Sequence, residues 1–384
     1  MEAYFDNSAT TRVLDSVTEI VVRTMTQDYG NAAAKHRKGM EAEQYIRSAR
    51  AEIAKTLKVA DKEILFTSGG SESNNMAVTG TALANQRAGK HIISTAIEHP
   101  SVYNPMAFLE EQGFEITFLP VDGEGHISLE ELEQAVRPDT ILVSVMYVNN
   151  EVGAVEPVEE ISRVIKKKNP RVLFHVDAIQ AYGKFRIYPK RQGIDLLSVS
   201  GHKIHGPKGV GFLYIGSGVR IRPLIYGGGQ QGGLRAGTEN VPGVAGLGVA
   251  AREMYQNLEG HVAHLTELKD YLTDRLGELE GVQVNSRKGT GSAPQIVSAS
   301  FDGVRSEVLL HALEDRGIYV SSGSACSSHH PGVSGTLKGI GLAPRYLDAT
   351  LRFSFGIFNR KEEIDYCIQV LGELLPVLRK YKRG

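Results

Sequence analysis

The chain has little cysteine, almost no net charge and no long apolar run, and each shortage closes off a class of protein. Only Cys326 and Cys367 occur among 384 residues, far from any CxxC pairing, which excludes a disulfide framework and a zinc site built on thiolates. A formal net charge of -1 leaves no electrostatic footprint for nucleic acid or an anionic membrane. The basic clusters Lys166 to Lys168 and Arg379 to Arg383 are short and fit solvated ends. No apolar stretch approaches the ~18 residues of a membrane span. The N-terminal MEAYFDNSATTR carries acids and no apolar core, so a cytoplasmic protein is expected. Internal repeats and low-complexity tracts are also missing. What is there, 41% hydrophobic and 23% charged residues, suits an ordinary soluble globular protein long enough for two domains.

Strand and helix patterns alternate, which predicts an α/β protein with a mostly parallel sheet and helices on both faces. Strands are expected at 63–67, 91–95, 115–119, 141–147, 172–176, 196–200 and 210–215. Helical periodicity fills Glu41 to Leu57, Ser73 to Ala88, Ser101 to Glu111, Ser128 to Val136 and Val158 to Lys168. Gly206-Pro207-Lys208-Gly209 joins its flanking strands too closely for a helix, so one strand should run antiparallel. One long helical stretch is expected from about Val241 to Leu279, followed by a new strand and helix series. A domain boundary is placed inside it near residue 258. The expected division is a large domain over 16–257 and a small one built from 1–15 and 258–384.

Chemistry concentrates at strand ends. The strand 172–176 runs into Asp177 and Gln180, and the strand 196–200 into Ser200, His202 and Lys203. Either Asp177 and Lys203 form a surface ion pair, or they are the carboxylate and the Schiff-base lysine of a pyridoxal phosphate enzyme. Thr67 to Asn74, with Gly70 and Ser71 at its centre, follows a strand and opens a helix. This stretch is either a phosphate cradle or a simple serine N-cap. Gly227 to Gly232 matches GxGxxG but opens no clear βαβ unit, which favours a close-approach loop over a dinucleotide site. His99 could stack on a flat ring or simply end a strand, and Asn149-Asn150 could bond a ligand or make a turn. Cys326 sits in a run of small residues with no burying periodicity, which makes it a candidate nucleophile; metal binding with His329 and His330 lacks further ligands. Cys367 shares a helix face with Ile364, Ile368, Leu371 and Leu374, as a buried structural thiol would.

Taken in order, Tyr4 to Thr11, Thr67 to Asn75, Glu98-His99, Asn149 to Gly153, His175 to Gln180, Ser200 to Lys203, Arg235 to Thr238 and Ser322 to Cys326 make a specific set. The set resembles the cysteine desulfurases of the NifS/IscS kind, in the class V aminotransferase group. The resemblance implies a pyridoxal-phosphate-dependent transferase of fold type I and a homodimer. It also implies conversion of L-cysteine to L-alanine with a persulfide left on Cys326. Lys203 would form the Schiff base, Asp177 would pair with the pyridine nitrogen, and His99 would stack on the ring. Gln180 and Asn150 would reach the phenolic oxygen side. Gly70, Ser71, Ser200 and His202 would hold the phosphate, with Thr238 supplied from the other subunit. Arg352 would clamp the substrate carboxylate, beside Asn150. No metal is implied.

Two departures stand out. Gln231-Gly232 replaces the Glu-Arg common in relatives, and Lys35 precedes His36 where relatives often carry an apolar residue. The spacing from Cys326 to Gly341-Leu342 resembles the long-loop subgroup, which implies direct persulfide transfer to an iron-sulfur scaffold or to a sulfur carrier for tRNA or cofactor thiolation. The alternatives are a selenocysteine lyase, another class V aminotransferase, or a noncatalytic pyridoxal-binding protein. An aminotransferase would have no use for Cys326.

Overall fold

The structure is a computed structural model and describes residues 1–289, 291–322 and 334–381. Thirteen strands are numbered in chain order: β1 Ala3–Tyr4, β2 Ile64–Thr67, β3 His91–Thr95, β4 Glu115–Leu119, β5 Thr140–Met146, β6 Leu173–Asp177, β7 Leu196–Ser200, β8 Gly211–Ile215, β9 Val282–Val284, β10 Ile296–Phe301, β11 Ile318–Tyr319, β12 Ser321–Ser322 and β13 Thr350–Ser354. Strands β2 to β8 form one sheet in the order β2-β8-β7-β6-β5-β3-β4. Pairing is parallel throughout except at β8, which runs antiparallel to both β2 and β7. The short Gly206 to Gly209 connection therefore does reverse the chain, because a parallel return would need a crossover of a dozen residues or more.

Both faces of this sheet are covered. Neighbouring residues alternate between layers: Ile93 and Val143 pack into one core, while Ile92 and Leu142 pack into another with Val102, Met106 and Leu109. Helices Asp15–Thr26, Arg37–Leu57 and Val241–Gln256 pack together on the first face. Their approach depends on Gly248, where a Cβ would stand 2.6 Å from the Ala49 Cα. A four-stranded sheet, β12-β13-β10-β9, carries its own apolar core, in which Phe301, Leu351 and Phe353 meet Leu268, Leu272 and Leu371. Ala3 and Phe5 of the N-terminal segment belong to that core, and β1 pairs with β11. Cys367 is fully buried there, and burial pushes its thiol up to about 12.

Three helical expectations need correction. The stretch from Val241 to Leu279 is two helices, Val241–Gln256 and Leu258–Gly277, broken at Asn257 with φ -122° and ψ 35°. Asparagine competes poorly inside a helix, and here its carbonyl starts the next helix by accepting from His261 N–H. The stretch expected as one helix over Ser73 to Ala88 starts at Gly70 and contains a wider turn at Met76–Gly80. That turn lets the Gly80 carbonyl leave the helix ladder and accept from Arg222 N–H at 2.9 Å. The helix Asp15–Thr26 was not anticipated, because its buried side chains are limited to Val17 and Thr24.

His175 in β6 links three strands, bonding Ser144 Oγ on β5 at 2.8 Å and Ser198 Oγ on β7 at 2.9 Å. Burial pushes its imidazole down to about 3. The folded state thus favours the neutral ring, and the unfolded chain binds the extra proton below its ordinary value of 6.5. Stability from this group is complete above about pH 6.5 and is lost as pH falls toward 3, by about 1.4 kcal/mol per pH unit at most. Urea titrations at pH 7 and pH 4.5 should show a smaller acid loss for His175→Gln than for the parent. Equal losses would remove His175 from the account.

Candidate active site

Because β2, β3, β5, β6 and β7 run in one direction, their C-terminal ends reach the same edge, where ligands of α/β sheets gather. Register aligns Asp177 with both Met146 and Ser198. Beyond Ser200 the chain makes a tight turn over Gly201–Lys203. The N-terminal segment is laced onto this turn: Thr11 donates its N–H at 3.0 Å and its hydroxyl at 2.9 Å to the His202 carbonyl. Lys203 Nζ in turn donates to the carbonyls of Ser8 at 2.5 Å and Ala9 at 2.7 Å. From below, Lys184 Nζ donates to the Lys203 carbonyl at 2.6 Å; burial, with the charge of Lys203, pushes the Lys184 ammonium down to about 7.

Asp177 is buried, 3% exposed, and accepts from Asn74 Nδ2 at 2.8 Å and from Ile179 N–H at 2.9 Å. Burial raises its carboxyl; the Ile179 N–H, His99, the Asn74 amide and Lys203 pull it back. His99 Nδ1 accepts from Ser101 N–H at 3.1 Å, which leaves the ring proton on Nε2. Burial holds this imidazole neutral by lowering its proton affinity, with Asp177 opposing and Lys203 assisting. His202 is pushed down to about 4 by burial and by Lys203, Lys208 and Lys184. Glu98 anchors the floor, accepting from Met146 N–H and the Thr95 hydroxyl, each at 2.8 Å, and burial pushes it up to about 8.

His99, Asp177, His202 and Lys203 line a cavity of about 360 Å³. Gly70, Ser71, His99, Asn150, Asp177, Gln180, Ser200, His202, Lys203 and Arg352 all line it. Gly69 at φ 150° makes the turn into the Gly70–Asn75 helix, and Gly70 lies where a Cβ would stand 2.2 Å from Ile179 Cδ1. Arg352, on β13, reaches across from the other sheet and donates to the Asn150 carbonyl at 2.9 Å and to Asp6 Oδ1 at 2.8 Å. Thr238 is exposed and does not line this cavity. Its loop is tied to the Gly70–Asn75 helix by Arg235 Nε, 2.9 Å from Glu72 Oε1. Cys326, with His329 and His330, lies outside the described residues.

Sequence reasoning assigned no role to Asp6, Ser8, Asn74, Ser101 or Lys184. Asn74 had a local signal, one turn into the helix after the Gly69-Gly70 turn. Ser101 bonds His99 two residues away, while Asp6, Ser8 and Lys184 meet the site through contacts distant in sequence. Gln231 also gains an explanation: its Oε1 accepts from Phe66 N–H at 3.0 Å and Arg50 Nη2 at 3.2 Å, and its amide donates to Glu239. It covers an otherwise unpaired donor on the edge strand β2, with no need for an acid at that position.

A family model described as aminotransferase class-V matches residues 3–367. The chain is 41% identical over 379 residues to a cysteine desulfurase IscS of Dictyoglomus turgidum, spanning 98% of this chain and 95% of that protein. It is 42% identical over 376 residues to a cysteine desulfurase IscS of Methanosarcina thermophila, spanning 98% and 92%. A solved structure described as a NifS-like protein is similar with a TM-score of 0.93 at 40% identity, covering 98% of this chain and all of that one. A structure described as SspA in complex with cysteine gives a TM-score of 0.81 at 35% identity, covering 93% of this chain and all of the other. Fold and site together define a pyridoxal-phosphate-dependent enzyme of the class V aminotransferase kind. Within that class, the chain belongs to the cysteine desulfurase family of NifS/IscS type.

The residues present fit the cofactor. Asp177 is a buried carboxyl whose hydrogen-bond partners here, an amide and a backbone N–H, are neutral donors, so a cationic ring nitrogen would complete its environment. Ser8 Oγ and Asn74 Oδ1 are buried with no partner. Ser71, Ser200 and His202 offer the neutral donors a phosphate accepts from.

Proposed function

We propose that this chain cleaves L-cysteine to L-alanine and takes the released sulfur onto Cys326 as a persulfide. The observation that carries the reading is the gathering of Lys203, Asp177 and Arg352 around one cavity of about 360 Å³. Pyridoxal phosphate, when bound, supplies a carbonyl that captures amines and a ring that takes up the electrons of a broken Cα–H bond. Asp177 would hold the ring nitrogen in its cationic form, and neutral His99 would cover the ring face. Gln180 and Asn150 would bond the phenolic oxygen side. Gly70, Ser71, Ser200 and His202 would hold the phosphate, joined by Thr238 of the partner subunit. Arg352 would fix the substrate carboxylate with Asn150 beside it. Lys203 would move the Cα proton as a general base. Cys326 Sγ, as thiolate, would attack the substrate sulfur while the substrate's Cβ–S bond breaks, the electron pair staying on the carbon side, where a proton completes the methyl group of alanine.

The protein is read as a cytoplasmic homodimer that passes sulfur to an iron-sulfur scaffold or sulfur carrier. Among the described residues no helix is long and apolar enough to cross a membrane. Residues 16–257 would form the cofactor-binding domain, and 1–15 with 258–384 a smaller one. That division is supported by the separate core joining Ala3 and Phe5 to Leu268 and Phe353. Cofactor-loaded protein given L-cysteine and a thiol reductant should form alanine and sulfide in equal amounts. Glutamate formation from 2-oxoglutarate without sulfide would indicate an aminotransferase instead.

A further inference from the structure

The N-terminal segment runs beside β13. Asp6 bridges to Ser354 in parallel, Asn7 N–H donates to the Ser354 carbonyl at 3.2 Å, and Ser8 N–H donates to Ser354 Oγ at 2.8 Å. This pairing holds the Asp6 carboxylate 2.8 Å from Arg352 Nη2. The two side chains are 21% and 9% exposed, so solvent screens the pair little. Arg352 Nη1 is taken by the Asn150 carbonyl, and Arg352 Nε is buried without a partner. Glu151 also lies near Arg352, but burial raises its carboxyl against the Ser334 hydroxyl and the Arg352 charge. Asp6 is the carboxylate in direct contact with the guanidinium, and both line the cavity.

From this geometry we propose that Asp6 is a specificity-determining residue: it neutralises Arg352 in advance, weakens the grip on any incoming carboxylate, and confines the site to amino acids with one carboxylate. The proposal rests on the reading of Arg352 as the substrate clamp. A substrate carboxylate reaching Arg352 shares one positive charge with a fixed negative one, so part of the attraction is already spent. A second carboxylate on the substrate side chain would meet the fixed negative charge of Asp6 and add repulsion. Asparagine at position 6 can still accept from Arg352 Nη2 and removes only the charge.

The test is equilibrium binding of amino acids that carry no sulfur to the cofactor-loaded enzyme, read by calorimetry. Asp6→Asn should bind L-alanine roughly three- to tenfold more tightly, the shift expected for removing one charge beside the clamp. L-Aspartate, which the parent enzyme should not measurably bind, should become a detectable ligand. Unchanged or weaker binding of both would overturn the proposal and leave Asp6 with a purely positioning role. Asp6→Ser removes the same charge and serves if the asparagine variant is unstable, with the same outcomes deciding. Arg352→Gln is the control for the clamp. If it leaves L-alanine affinity intact, Arg352 is not the clamp; if affinity collapses while Asp6→Asn changes nothing, only the Asp6 proposal fails.

Discussion

Replacing Lys203 with alanine is expected to slow cysteine turnover by at least about a hundredfold, the lower bound for removing a positioned general base, and to leave the cofactor held without a covalent bond. The expectation comes from placement. Lys203 ends the turn after β7, its carbonyl is held by Lys184 Nζ at 2.6 Å, and its own ammonium is directed at the N-terminal segment beside Asp177 and His99. Borohydride treatment of the parent should fix the cofactor's mass on the peptide carrying Lys203, and the variant should show no such adduct. Lys184 is the competing amine, since burial pushes it down to about 7, but it does not line the cavity. An adduct mapped to Lys184 in the parent would reassign the catalytic lysine.

The second large effect separates sulfur transfer from every other pyridoxal reaction. Cys326→Ser should keep the cofactor and still bind cysteine, because Lys203, Asp177 and Arg352 are unchanged. Alanine release should fall to background, since a hydroxyl cannot accept the substrate's sulfur as a persulfide. Cys367→Ser is the matched control. That thiol is fully buried among Ile364, Ile368 and Leu371, and burial pushes it up to about 12, so it is not a nucleophile at neutral pH. Its replacement should cost roughly 1–3 kcal/mol in unfolding experiments if the new hydroxyl finds no partner, with turnover intact. Alanine release and persulfide labelling measure both variants. Near-normal alanine release by Cys326→Ser would refute the desulfurase mechanism.

Much of the site was legible because its parts are local. A short apolar run that stops abruptly at Asp177 or Ser200 marks both a buried strand and its polar end. Parallel strands then carry such ends to one edge. Cys326 was legible as a candidate nucleophile from the small residues around it, whereas Arg352 gained its role from the resemblance, since nothing in its surroundings links it to residues more than a hundred positions away. The helix break at Asn257 escaped notice because helical periodicity runs on across it, from buried Met254 to buried Leu258.

By itself the sequence determined the seven strands of the large sheet, the reversal at Gly206 to Gly209, and the Lys203 and Asp177 pair at neighbouring strand ends. Each follows from near-neighbour rules: side-chain alternation, turn length, and the residue type at a strand's end. Tertiary structure alone decided that residues 6 to 11 lie against the catalytic turn, and that Arg352 meets a carboxylate 346 positions earlier in the chain. The physical reason is that β13 pairs with the N-terminal segment through backbone hydrogen bonds, which carry no side-chain pattern. The charge facing Arg352 is therefore a consequence of the N-terminal segment pairing with β13 beside the cavity.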